Sequence, residues 1–93
     1  MITEFRFIND SKADGEAKKL VESGFNATLS NCQELVFRKD FGTNLIEAHY
    51  IPAYRRWKAE VLHKMSYAGY VTLYETPLFG TAETAINDAH QNI

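Results

Sequence analysis

The chain has 93 residues, 45% of them hydrophobic and 24% charged, and a net charge of −2. That composition excludes a disordered chain and fits a single domain over residues 1–93 with a modest core. A charge so near zero excludes the broad basic footprint of a generic nucleic-acid binder, and equally an acidic nucleic-acid mimic.

Cys32 is the one cysteine, so no internal disulfide forms and stability must come from packing or from self-association. With no CxxC partner, Cys32 reads as a minor packing residue in a reducing, cytoplasmic setting. Met1-Ile2 is followed at once by Thr3-Glu4-Phe5-Arg6, which lacks the basic and apolar regions of a signal peptide. The uncharged stretch at residues 65–74 is far short of the ~20 apolar residues a membrane span needs.

In chain order, Phe5 and Phe7 alternate with Glu4 and Arg6, a period of two that predicts a strand over residues 2–8. Asn9-Asp10-Ser11 supplies cap residues, and Ser11 with Asp14 has capping-box spacing. Ala13, Ala17, Leu20 and Val21 then share one helical face, which Gly24 ends. Residues 25–33 read as either loop or strand. Residues 34–40 and 45–51 read as strands, joined by the hairpin-like Phe41-Gly42-Thr43-Asn44.

For residues 52–68 the expectation is a helix. Pro52 suits a first helical position, and Tyr54, Trp57, Val61, Met65 and Ala68 recur at helical spacing before Gly69. Arg56/Glu60 and Glu60/Lys64 would be i,i+4 charge pairs on the other side. Residues 70–75 are β-branched and aromatic, hence a strand. A last helix would start at Thr81 as N-cap, with Ala82, Ala85, Ile86 and Ala89 as its buried stripe.

The resulting order, β-α-β-β-α-β plus a C-terminal helix, predicts an α+β fold: a ferredoxin-like two-layer sandwich with helices on one face of an antiparallel sheet. Alternation would turn Phe5, Phe7, Leu35, Phe37, Ile46, Ala48, Tyr50, Val71 and Leu73 toward the helices. It would leave Glu4, Arg6, Val36, Arg38, Glu47, His49, Tyr70, Thr72 and Tyr74 on an open face. Tyr70 and Tyr74 beside a histidine and two arginines mark that face as the candidate site: a dimer contact, a surface under the C-terminal helix, or a ligand pocket.

His49, His63 and His90 have no partner at metal-ligand spacing, so neither a metal nor a cofactor is expected. No nucleophile elbow, P-loop or dinucleotide glycine pattern occurs. Arg55, Arg56, Lys58 and Lys64 form the densest basic run, a nucleic-acid candidate disfavoured by the interleaved Glu60. RNA recognition on this fold would need aromatics on the two central strands, where Glu4, Arg6, Glu47 and His49 stand instead.

The leading expectation is therefore a non-catalytic protein-interaction module, homodimeric or acting on another protein. Such a chain looks like the accessory or inhibitory proteins that phages and other mobile elements carry. The alternative is a small-ligand protein or enzyme of the dimeric α+β type. His49 would be its acid/base there, with Arg6 or Arg38 holding an anion and Tyr70 or Tyr74 orienting it.

Overall fold

A computed structural model of the chain describes residues 6–30, 34–67 and 69–93. The elements run α1 (Ser11–Glu22), β1 (Asn26–Leu29), β2 (Leu35–Phe41), β3 (Asn44–Ile51), β4 (Arg56–Lys64), β5 (Tyr70–Glu75) and α2 (Ala82–His90). The five strands form one antiparallel sheet in sequence order, β1-β2-β3-β4-β5, so every connection within it is local.

Asp10, not Ser11, caps α1: its side chain accepts from the amides of Lys12 and Ala13. Asp14 turns back instead of completing a capping box. Its Oδ1 accepts from the amides of Phe7 at 2.6 Å and Ile8 at 3.2 Å. Arg6, Phe7 and Ile8 are consequently not strand, which corrects that part of the expected first strand; residues 2–5 lie outside the described residues. Phe7 still reaches the core, edge-on to Phe37 with ring centres 5.6 Å apart. Gly24 follows α1 at φ 103, a left-handed turn open to glycine at little steric cost.

The central correction concerns residues 52–68, which are not a helix. Pro52 occupies a tight turn instead, in which the Tyr54 amide donates to Ile51 and that of Arg55 to Pro52. The fixed φ of proline serves a turn as readily as a helix start. Arg55, at φ 52, then reverses the chain into β4, which pairs with β3 over eight positions from Ile51/Arg56 to Asn44/His63. Trp57, Ala59 and Val61 point inward with a period of two and are fully buried. Tyr54 and Met65, counted in the helical stripe, are exposed.

With that strand in place of a helix, the fold is a five-stranded antiparallel meander with one helix at each end of the chain, not a βαββαβ sandwich. One core cluster joins Ala13, Ala17 and Leu20 of α1 and Ala82, Ala85 and Ala89 of α2 to Phe37, Ile46, Ala48, Trp57, Ala59 and Val61 of the sheet. The alanine stripes let helix backbones approach the sheet closely while the large side chains come from the strands. A Glu16 oxygen of α1 accepts from the Ala82 amide at 2.6 Å, tying the two helices together at the positive end of α2. The C-terminal helix and its Thr81 cap stand as the sequence predicts.

The open face also differs from a bare solvent face, because Val36, Leu45 and Leu62 are buried on it. The Arg38 guanidinium on β2 lies 5.0 Å from the centre of the Tyr70 ring on β5. Those strands are three spacings, roughly 14 Å, apart. Arg38 and Tyr70 therefore meet above the two intervening strands, β3 and β4.

Candidate interaction site: the open sheet face and the β5 edge

Register places Glu47 of β3 directly opposite Glu60 of β4, an unfavourable pairing of like charges on adjacent strands. His49 resolves it. Its Nε2 stands 2.9 Å from Glu47 Oε1 and 3.3 Å from Glu60 Oε2. Ionised carboxylates only accept, so Nε2 carries the proton and is shared between them. Arg38 holds the other Glu47 oxygen, donating from Nε at 3.0 Å and also from Nη2. On the far side Lys58 reaches Glu60 at 3.8 Å and Glu75 at 2.9 Å, and Thr72 donates to Glu60 at 3.4 Å.

The result is a chain of alternating basic and acidic side chains across four strands: Arg38, Glu47, His49, Glu60, Lys58, Glu75. The His49 hydrogen bond is the largest influence on Glu47; burial opposes it, and Arg38 adds to it, leaving the carboxyl below its usual range. Lys58 is held above the usual lysine range, since Glu75 and Glu60 outweigh the opposing effect of its burial. The basic and acidic groups of this face are thus matched to one another, and the face presents a closed ionic lattice rather than unsatisfied charge.

Three of the sequence-predicted site residues, Arg38, Glu47 and His49, come together in this lattice, and Tyr70 lies over its arginine. Arg6 is exposed in the segment before α1 and makes no ion pair with the lattice. Tyr74 sits on the opposite face. The register shift between Val61 and Leu62 inserts Leu73 into β5 and turns Tyr74 toward α2, where its hydroxyl donates to Asp88 Oδ2 at 2.7 Å.

The nucleic-acid candidates disperse. Arg55 and Arg56 lie exposed at the β3–β4 turn, Lys58 is engaged by Glu60 and Glu75, and Lys64 pairs with Asp40 at 2.6 Å. A hollow of about 280 Å³ reaches His49, but Phe7, Ile8, Glu34, Leu35, Tyr50, Ile51 and Pro52 line the rest, and neither Arg6 nor Arg38 does. A pocket holding His49 together with Arg6 or Arg38 does not assemble among the described residues. Among the described residues, no group of three or more His, Cys, Asp or Glu could hold a metal ion, and no helix is long and apolar enough to cross a membrane.

Sequence reasoning missed Glu60, Lys58 and Glu75 as members of the lattice because it placed the first two on a helix. It also assigned Val71 and Leu73 to the core. They are 44% and 55% exposed, beside Tyr70 at 47% and Tyr67 at 90%. The reason is topological: β5 is the last strand of the meander, so among the described residues one of its sides has no neighbour. The signal that could have found this edge is the uncharged run at 65–74, read earlier only as too short for a membrane.

The β5 edge leaves backbone groups for a further strand. The Gly69 carbonyl accepts from Met65 and the Thr76 amide donates to Ala59, so both residues turn toward β4. Alternation then directs the backbone groups of Tyr70, Thr72 and Glu75 outward. A second concave feature, a groove of about 630 Å³ between α1 and α2, has Leu20, Phe25 and Ile86 on its floor and Lys12, Lys19 and Glu83 on its rim. Comparison with known protein families, curated proteins and solved structures finds no match for this chain.

Proposed function

We propose that the protein is a non-catalytic interaction module that captures another polypeptide by strand addition along β5. The observation that carries this reading is an edge strand whose backbone groups at Tyr70, Thr72 and Glu75 face outward while Tyr70, Val71 and Leu73 are about half exposed. Proteins that avoid edge pairing blunt such strands with lysine, proline, an inward charge or a bulge, and the one irregularity of β5 lies beyond Thr72. Here no charge stands between Lys64 and Glu75. Strand addition draws affinity from main-chain hydrogen bonds and specificity from alternate side chains, and both are available on this edge.

The ionic lattice supports the same reading. Its acids and bases are neutralised by one another across β2–β5, which suits a rigid platform better than an acid/base site awaiting substrate.

A selection of random peptides displayed against the folded protein tests the proposal. Peptides enriched in β-branched and aromatic residues are expected, with binding lost on Thr72→Pro, which removes an outward amide from the edge. Failure to select any peptide, or peptides that bind Thr72→Pro equally well, would refute strand addition at β5.

A further inference from the structure

Resting on the reading of β5 as a docking edge, we infer that the occupant of that edge is a second copy of this chain, paired antiparallel about a two-fold axis at Val71. The outward backbone groups of Tyr70 and Thr72 are two residues apart, with the inward-turned Val71 between them. An antiparallel ladder needs alternate residues of this kind on both partners. A two-fold axis through Val71 sets Tyr70 of each copy against Thr72 of the other, and Val71 against its own symmetry mate. Four main-chain hydrogen bonds follow, two at each Tyr70/Thr72 pair. The register shift at Val61/Leu62 ends regular alternation after Thr72, so this is the register the strand offers without a defect inside the new ladder.

Self-pairing is the case in which charge on the edge would do most harm, because each charge would approach a like charge from the other copy. The uncharged stretch 65–74 removes that obstacle over the whole contact. Both side-chain rows are suited to the arrangement. On the open face Tyr70 would lie beside Thr72 of the second copy, and on the helix side the two Val71 side chains would meet at the axis. The other edge, β1, is only four residues long and is a poorer template for pairing. The dimer would join the two meanders into one ten-stranded sheet.

Light scattering after size exclusion, between about 10 and about 300 µM, reads the assembly. The expected result is a mass approaching twice 10.6 kDa as concentration rises. Val71→Lys and Val71→Glu should each give a monomer with an unchanged circular dichroism spectrum, since the side chain is already half exposed. Mixing the two variants should restore the doubled mass, because the charges then face each other with opposite sign. That rescue separates edge pairing from a variant that merely misfolds.

A wild-type monomer at the highest concentration overturns the second copy as occupant. If that monomer still binds selected peptides in a Thr72-dependent way, the docking edge stands and only its occupant is wrong. A dimer indifferent to both Val71 variants overturns pairing about this axis, and the docking edge falls with it if no peptide binds in a Thr72-dependent way.

Discussion

Replacing His49 by alanine should destabilise the protein at neutral pH and much less in acid. The substitution removes the proton shared by Glu47 and Glu60 and leaves two carboxylates opposed across β3 and β4. Their nearest oxygens stand 2.9 and 3.3 Å from His49 Nε2, so the two can be no more than about 6 Å apart. Two unit charges at that distance repel by about 0.7 kcal/mol at the dielectric of water and about 3 kcal/mol at an effective value near 20. Glu47 is buried but ringed by polar groups, which puts the repulsion between those limits, and Arg38 continues to hold one of its oxygens. A loss of about 2 kcal/mol near neutral pH follows once the charged hydrogen bonds are included.

The sign with pH is fixed by Glu47. Its carboxyl is held below the ordinary 4.5 in the folded state, so its contribution is fully present above that value and fades as pH falls through the lower folded value. His49→Ala removes part of that contribution, and the gap from wild type narrows as the carboxylates protonate. Urea denaturation at about pH 7 and about pH 4 measures both quantities. In the double variant His49→Ala/Glu60→Gln the repulsion is gone, and more than half of the loss should return at neutral pH. A single variant as stable as wild type, or a double variant no better than the single, would refute the bridging role of His49.

The other expectations concern stability and are checked by chemical or thermal denaturation. Trp57 is fully buried and its Nε1 has no hydrogen-bond partner, so Trp57→Phe trades lost volume against relief of an unpaired donor and should cost about 1 kcal/mol or less, against about 3–5 kcal/mol for Trp57→Ala. Equal losses for the two would show that the indole N–H is satisfied. Asp14→Ala strips the acceptor from the Phe7 and Ile8 amides and should cost about 2 kcal/mol, whereas Asp14→Asn retains an acceptor oxygen and should cost less. Burial opposes the lowering of the Asp14 carboxyl, but those amides and Lys18 outweigh it, so the wild-type advantage over Asp14→Ala should persist above about pH 4 and shrink as pH falls below it. Arg55 is non-glycine at φ 52, so Arg55→Gly should stabilise by up to about 1 kcal/mol; a loss would mean that the side chain holds the turn.

Where local chemistry decides conformation, the sequence was legible. Both helices, the β2–β3 hairpin and β5 follow from caps, glycines and short apolar alternations that each carry their own signal. The alanine stripe of α2 was readable because Ala82, Ala85 and Ala89 obey one period only. Part of the site was readable as well: Arg38, Glu47 and His49 alternate on β2 and β3, and alternation alone puts them on one face.

Residues 52–68 were not legible in this way, for an identifiable reason. Trp57, Val61 and Met65 are spaced by four, which satisfies a helix at one turn and a strand at two pleats. Ala59 and Leu62 are the residues that separate the two readings, and both have side chains ordinary in either state. The choice falls to β3, which has β2 on one side and requires a partner on the other. Eight paired positions, and a histidine between two facing glutamates, form only if residues 56–64 extend.

From that one decision the rest of the tertiary picture follows. Composition and local pattern determined an α+β chain, its end helices and an uncharged stretch leading into its last strand. The meander, the lattice across β2–β5 and the exposure of β5 depend on which strand finds no neighbour. That is settled by how whole neighbouring strands pair, which the propensity of no single segment encodes.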